Sequence, residues 1–432
     1  MRTLLTLAAA RARDARRLLD ARTREQFLAA RDALGFRRRA RALTEEQRWA
    51  YLLDTLRQQA AYATTQFTFW RTRFAAAGIT RPAEVTPEQL AALPPLERSE
   101  LPALFAEAQS LDRLAQGRVV RTGGSTGVPA ELLKGPQELG WSESATDFFR
   151  GELGVPTLPR TAFVWGHHLD PVTRASRRER LEDYLFQQAW FDIFRIDDAT
   201  LRGFDAQLQA FQPELIVAYA AALDALAGAI NPDGGLRRSY PTRAIITGAE
   251  KLLPHHRARL EATFAAPVYE QYGGRDVGLI AHQMGRHGGA LTVDWAQMYV
   301  EPEDTAEESA ILVTKLHADA MPVFRYRVGD IARFPVGSRP GHAVLQLEEV
   351  TGRELNMLWR PDGSRVSGML FPHLLKDFPL REFQVRQDES LAVTVLLVPR
   401  EGFGPQHEAE IRAIIDDNLP GCPVAMQHVS EV

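Results

Sequence analysis

The chain has 432 residues, 45% of them hydrophobic and 25% charged, with a formal net charge of −4; this excludes disordered and fibrous classes and predicts a folded protein with ample core. Cys422 is the only cysteine, which excludes a disulfide framework and any multi-thiolate zinc or iron–sulfur site, and predicts a cytoplasmic protein. Two domains are expected at this length, because single hydrophobic cores usually stop growing near ~250–300 residues.

The opening MRTLLTLAAARARDARR holds an apolar stretch too short, and too closely followed by arginines, for a signal peptide. Residues 1–75 read as a helical arm, with Thr44-Glu45-Glu46-Gln47 in capping-box form at one helix start. Residues 1–60 carry 14 arginines against seven acids, yet they lack the basic runs interleaved with aromatics that a nucleic-acid strip shows. An arginine-solvated helical pair whose Leu/Ala stripe packs on the body is expected, with no nucleic-acid partner. Strand-like runs TAFVWG (161–166), ELIVAY (214–219), RAIITG (243–248) and PVYEQY (267–272) then alternate with helical stretches near 202–211, 220–230 and 254–264. Such alternation predicts an α/β fold, a large layered N-terminal domain with helices covering its sheet.

After Tyr272 the texture changes to strands joined by turns (VGLIAHQ, LTVDWAQMYVE, AILVTKL, FRYRVGDIARF, AVLQLEEV), which predicts an antiparallel or barrel-like β subdomain. From Thr351 a compact α+β unit of roughly 80 residues follows, so the expected domains are 1–350 and 351–432. No apolar run reaches the ~18–20 residues that span a bilayer. The best, Leu391–Pro399, has strand length, and no membrane span is expected.

Four segments could carry chemistry. Arg121-Thr122-Gly123-Gly124-Ser125-Thr126-Gly127-Val128-Pro129 combines glycines that let the backbone turn tightly with hydroxyls, a pattern suited to cradling an anion. The Walker lysine is absent, and taken alone a bland Gly/Ser turn accounts for the segment equally well. Ile246-Thr247-Gly248-Ala249-Glu250 and Tyr269-Glu270-Gln271-Tyr272-Gly273-Gly274-Arg275-Asp276 each end a predicted strand, where ligands of open α/β sheets sit. Asp330, in Phe324-Arg325-Tyr326-Arg327-Val328-Gly329-Asp330, has a carboxylate able to accept both ribose hydroxyls, although a turn is the plainer role for Val-Gly-Asp. His255, His256, His282 and His287 have no cysteines nearby, which argues against structural zinc.

In this order and at these spacings the segments resemble the adenylate-forming superfamily of acyl- and aryl-CoA ligases, and most closely its phenylacetate-CoA ligase branch with the related capsular-polysaccharide adenylating proteins. TGGSTGVP resembles the phosphate loop, TGAE the adenine-side loop, YGGRD the Tyr-Gly-x-Thr/Ser-Glu motif and YRVGD the ribose motif. TGRELNMLWRPDG is similar to the hinge of a small, mobile C-terminal domain, FQVRQ to one of its strands, and AGITRPAEVTPEQLAALPPLERSEL to the lead-in segment of this branch. The resemblance spans about 45–430.

It implies a ligase that forms an acyl-adenylate from ATP and a small carboxylic acid with Mg2+, then passes the acyl group to CoA or another nucleophile. Thr122, Gly123, Gly124, Ser125, Thr126 and Gly127 would hold the phosphates. Gly248, Ala249, Glu250, Tyr272 and Gly273 would border the base, Asp330 the ribose, and Arg353 at the hinge would complete the nucleotide contacts. Trp165, His167, His168, Gly273 and Gly274 would face the acid. Arg275 and Asp276 would be catalytic, with Asp276 on the metal; here Asp276 replaces the usual glutamate and Arg275 the usual Thr/Ser. The family's C-terminal lysine has no counterpart before Val432, so slow adenylation is expected, with Arg386 a better substitute than Lys376. A homodimer is compatible with the pattern. The alternative is a catalytically impaired nucleotide- or acyl-adenylate-binding partner protein, which would bind ATP without releasing pyrophosphate.

Overall fold

The computed structural model describes residues 2–111, 117–121, 131–165, 177–191, 198–231, 240–286, 288–353, 357–362, 365–367, 371–375, 378–388 and 390–430. Two compact units emerge, Met1–Val328 with Ala332–Val350, and Gly329–Ile331 with Thr351–Val432.

The first unit begins with helices α1 (Arg2–Leu19), α2 (Ala21–Ala40), α3 (Glu45–Gln66) and α4 (Thr68–Ala76). Thr44 accepts from the Gln47 N–H while the Gln47 side chain takes the Thr44 N–H, so the capping box starts α3 as its sequence predicts. Most of the arm's arginines are exposed, as expected, but Arg17 and Arg37 are drawn into ion pairs with the body. Arg37 is buried and pairs with Asp294 at 2.7 Å, and Arg17 reaches Glu143 at 2.7 Å. These pairs pin the arm to the body.

Two short helices, α5 (Pro87–Ala92) and α6 (Leu101–Ser110), lead to a hairpin of β1 (Arg118–Arg121) and β2 (Glu131–Lys134), in register from Arg118↔Lys134 to Arg121↔Glu131. Helix α7 (Pro136–Glu152) follows. It approaches α2 closely enough that a Cβ on Gly140 would lie 2.6 Å from the Ala29 Cβ, which is why small residues occupy its packing face.

The central sheet has eight strands. Its parallel part joins β3 (Thr161–Val164), β4 (Gln188–Phe191), β5 (Leu215–Ala218), β6 (Ala244–Thr247) and β7 (Val268–Gly274), with helices α8 (Arg177–Leu185), α9 (Asp198–Phe211), α10 (Ala220–Ile230) and α11 (Pro254–Phe264) between them. β6 is buried along its whole length, the pattern of a parallel strand covered on both faces. On the other flank β7 turns back antiparallel into β8 (Gly278–Gln283), then β9 (Leu291–Val293), and the full order reads β13-β9-β8-β7-β6-β5-β3-β4 with β13 at Gln346–Leu347. Part of the region expected to form its own β subdomain therefore extends the central sheet. The rest, β10 (Met298–Pro302), β11 (Glu308–Lys315), β12 (Tyr326–Arg333) and β14 (Glu349–Arg353), makes a four-stranded sheet, with the boundary between the two units falling inside β12 and β14. Trp70, Phe74 and Phe324 lie in the core beside this sheet with edge-on ring contacts.

The second unit pairs β15 (Met357–Trp359) with β16 (Arg365–Ser367), adds the short helix α12 (Phe371–Leu374), and sets β17 (Leu380–Gln387), β18 (Val393–Pro399) and β19 (Val424–His428) beside α13 (Pro405–Asn418). Val395 and Leu397 of β18 meet Ile411 and Ile415 of α13 in its core, a period-2 face packed on a period-3.6 face. Among the described residues, no helix is long and apolar enough to cross a membrane.

Candidate functional site

The strands of the parallel half end along one edge, where three of them deliver residues singled out from the sequence and a fourth adds Tyr219. Trp165 follows β3, Tyr219 follows β5, Gly248 follows β6, and Tyr272–Asp276 close β7. The Trp165 and Tyr219 rings stand 4.3 Å apart, tilted by 41°. The Gly248 N–H donates to the Ala218 carbonyl, and a Cβ on Gly248 would sit 3.2 Å from the Gln271 carbonyl oxygen and 3.8 Å from the Trp165 ring. Ala249 holds a left-handed φ of 67°, a strained setting for a residue with a Cβ. Glu250 is fixed by accepting the Ala221 N–H in the first turn of α10, a helix-end anion position. Burial raises the Glu250 pKa while this bond opposes it; burial also raises the Tyr219 phenol against the pull of Arg275.

The end of β7 is built differently. Gly273 sits at a register shift, where a Cβ would come 2.2 Å from the Gly278 carbonyl oxygen, so glycine alone fits. Asp276 follows on the turn. Its Oδ2 accepts from the Tyr326 hydroxyl at 3.1 Å, its Oδ1 from the Val277 N–H at 3.0 Å, and its main-chain oxygen from Lys315 Nζ at 2.8 Å. Burial and the neighbouring Asp276 carboxylate raise the Tyr326 phenol, which therefore stays a donor. Lys315 Nζ also bonds Glu138 Oε1 at 2.8 Å, and Lys134 Nζ lies 3.8 Å from that same oxygen. Burial, then the nearby Lys315 charge, pushes Lys134 down to about 8.

The donor set at Asp276 fits Mg2+. A carboxylate offers about four lone-pair sites, two of which are taken, and magnesium typically uses one or two carboxylates together with substrate phosphates. Arg275 is exposed on the same turn. Asp330 lies half-buried on β12 behind Gly329, whose φ is 83°. Arg353 ends β14, and Arg386 is exposed on β17, bonded to Gln384. Thr122–Gly127, His167, His168, His287 and Lys376 lie outside the described residues. His282 is buried against Phe149 with Nδ1 on the Gln283 carbonyl, so it belongs to the core. His255 and His256 meet Asp224, with possible ligand atoms within 4.8 Å of one another, but Arg259 already pairs with that carboxylate at 3.2 Å.

Tyr219, Lys134, Glu138 and Lys315 escaped the sequence reading. An aromatic closing a strand before an Ala-rich helix marks Tyr219, and lysine's rarity in an arginine-rich chain marks the other pair of cations.

No family model matches the sequence. Protein CapK of Staphylococcus aureus is 23% identical over 210 residues, which is 48% of this chain and 46% of that protein, so the match spans about half of the relative's length. Among solved structures, 2-hydroxyisobutyryl-CoA ligase holding R3-HIB-AMP in its postadenylation state superposes with a TM-score of 0.65 at 15% identity, covering 90% of this chain and 87% of that one. The chain has the fold of an acyl-CoA ligase. The same ligase with 2-HIB-AMP and CoA in its thioesterification state gives 0.57 at 15% identity, covering 89% and 87%. O-succinylbenzoate coenzyme A synthetase from Bacillus subtilis with AMP gives 0.50 at 13% identity, covering 72% and 65%.

Proposed function

We propose that the chain activates a small carboxylic acid with ATP and passes the acyl group to CoA. The observation that carries this reading is Asp276 just past β7, its carboxylate accepting from Tyr326 and Val277 and its main-chain oxygen from Lys315, beside strand ends that bring Trp165, Tyr219 and Gly248 together. In this scheme an acid oxygen attacks the α-phosphorus of ATP and the bond to the leaving pyrophosphate breaks. A thiol then attacks the acyl carbon and AMP leaves. Neither step needs a covalent bond to the protein, so positioning and electrostatic stabilisation supply the acceleration.

Thr122–Gly127 take the phosphates; Gly248, Ala249, Glu250, Tyr272 and Gly273 border the base; Asp330 binds the ribose, with Arg353 assisting. Trp165, His167, His168 and Gly274 face the acid, and Tyr219 joins Trp165 as an aromatic wall. Asp276 holds Mg2+, which when bound neutralises phosphate charge. Arg275 and Arg386 supply cationic contacts. The protein works in the cytoplasm, as a monomer or homodimer, on an acid of the kind its aromatic wall accommodates.

Pyrophosphate release measured across aryl, fatty and amino acids, with and without CoA, tests this. One acid is expected to drive release, and CoA to raise turnover. ATP binding without release for any acid would instead support a nucleotide-binding partner protein.

A further inference from the structure

We propose that Lys315 and Glu138 are positioning residues that set the metal-binding turn at Asp276, an inference that rests on the adenylation reading above. The turn needs an outside anchor. Gly273 and Gly274 precede it, and glycine backbones resist being fixed more than any other. The anchor is Lys315 Nζ, which holds the Asp276 main-chain oxygen and Glu138 Oε1, each at 2.8 Å. Glu138 lies in the first turn of α7, one helix turn beyond Lys134 at the end of β2. A chain of buried polar contacts therefore runs from the foot of the glycine-rich hairpin to the carboxylate turn.

Stability does not explain this triad. None of its three side chains is more than 8% exposed, two cations share one carboxylate, and Glu138 Oε2 is buried without a hydrogen-bond partner. Apolar side chains in such a place commonly hold a fold as well or better. An ammonium with several donors, by contrast, can grip a carbonyl and a carboxylate at once, which an apolar residue cannot.

The test is Lys315→Met. It leaves the Lys134–Glu138 pair with no unbalanced charge, so the protein is expected to fold with a melting temperature near that of wild type. Loss of an outer partner of a metal ligand typically costs ~10–100-fold in metal affinity. The Mg2+ needed for half-maximal pyrophosphate release is expected to rise by that factor. Calorimetry should show the gain in ATP affinity between EDTA and Mg2+ shrinking to match, a change that a merely structural role would not produce. Lys134→Met leaves both Lys315 bonds in place and is expected to shift these values less. If Lys315→Met does not fold, Lys315→Gln, with a shorter neutral donor, carries the same measurements. A folded Lys315 variant with wild-type Mg2+ dependence, or equal shifts in the two lysine variants, would overturn the inference while leaving adenylation standing. Wild-type protein that neither binds ATP more tightly with Mg2+ nor releases pyrophosphate would remove both.

Discussion

The two flanks of β7 reach the same edge of the sheet by different physics. On the parallel flank, backbone hydrogen bonds and an aromatic pair place Trp165, Tyr219 and Gly248, and one half-buried carboxylate cap fixes the loop. On the antiparallel flank, a glycine bulge forces a sharp return, and buried charge from β11 and α7 holds it. Placement by rings and backbone tolerates change in the ligand it meets. Placement by buried ions fixes the turn that carries one carboxylate, and small errors there are costly.

Asp276→Asn would separate the flanks most sharply. It keeps the shape of the turn but removes the charge, and loss of one electrostatic contact to the reacting group typically costs ~10²–10³ in turnover. Initial rates of pyrophosphate release should fall by that factor, with ATP affinity in EDTA unchanged.

Next in size is a pH effect confined to the buried flank. Lys134 is depressed to about 8 from an ordinary 10.5. Between those values the unfolded chain holds a proton that the folded chain has released, so raising the pH stabilises the fold. Urea unfolding should show wild type gaining up to about 3 kcal/mol over Lys134→Met between pH 8 and 10.5. A flat difference would mean that Lys134 is not held in an apolar setting.

Gly273→Ala forces a methyl group against the Gly278 carbonyl, and overpacking of this kind costs ~1–3 kcal/mol. A lower melting temperature and a raised Mg2+ requirement should appear together. The smallest change is expected on the parallel flank, where Glu250→Ala removes a helix-end carboxylate for about 1 kcal/mol. Its melting temperature should drop slightly while the Mg2+ requirement stays put.

Much of the parallel flank was legible in the sequence. Its helices are separated by strands that end in or are followed by a glycine or aromatic residue, and α10 and α11 span the stretches that periodicity assigns to them. Asp276 was visible because its neighbours form a motif. Helix α7 was not visible, since it packs through Gly140, Ser144 and Ala145 and so lacks an apolar stripe. The edge strand β4, Gln-Ala-Trp-Phe, is only half-buried and lacks the run of apolar β-branched residues that signals β5 and β6. Strands β8, β9 and β13 read as a separate subdomain because alternation reports a half-buried strand but not the sheet it joins. Lys315 and Glu138 are 177 residues apart, and no local pattern links a lysine to a carboxylate at that distance.

The most direct test of the account is acid-dependent exchange of labelled pyrophosphate into ATP, run on wild type and Asp276→Asn with the acid that best drives release. The account expects exchange that needs both the acid and Mg2+ and falls ~10²–10³-fold in the variant. Exchange that proceeds without acid, or that Asp276→Asn leaves untouched, would contradict it.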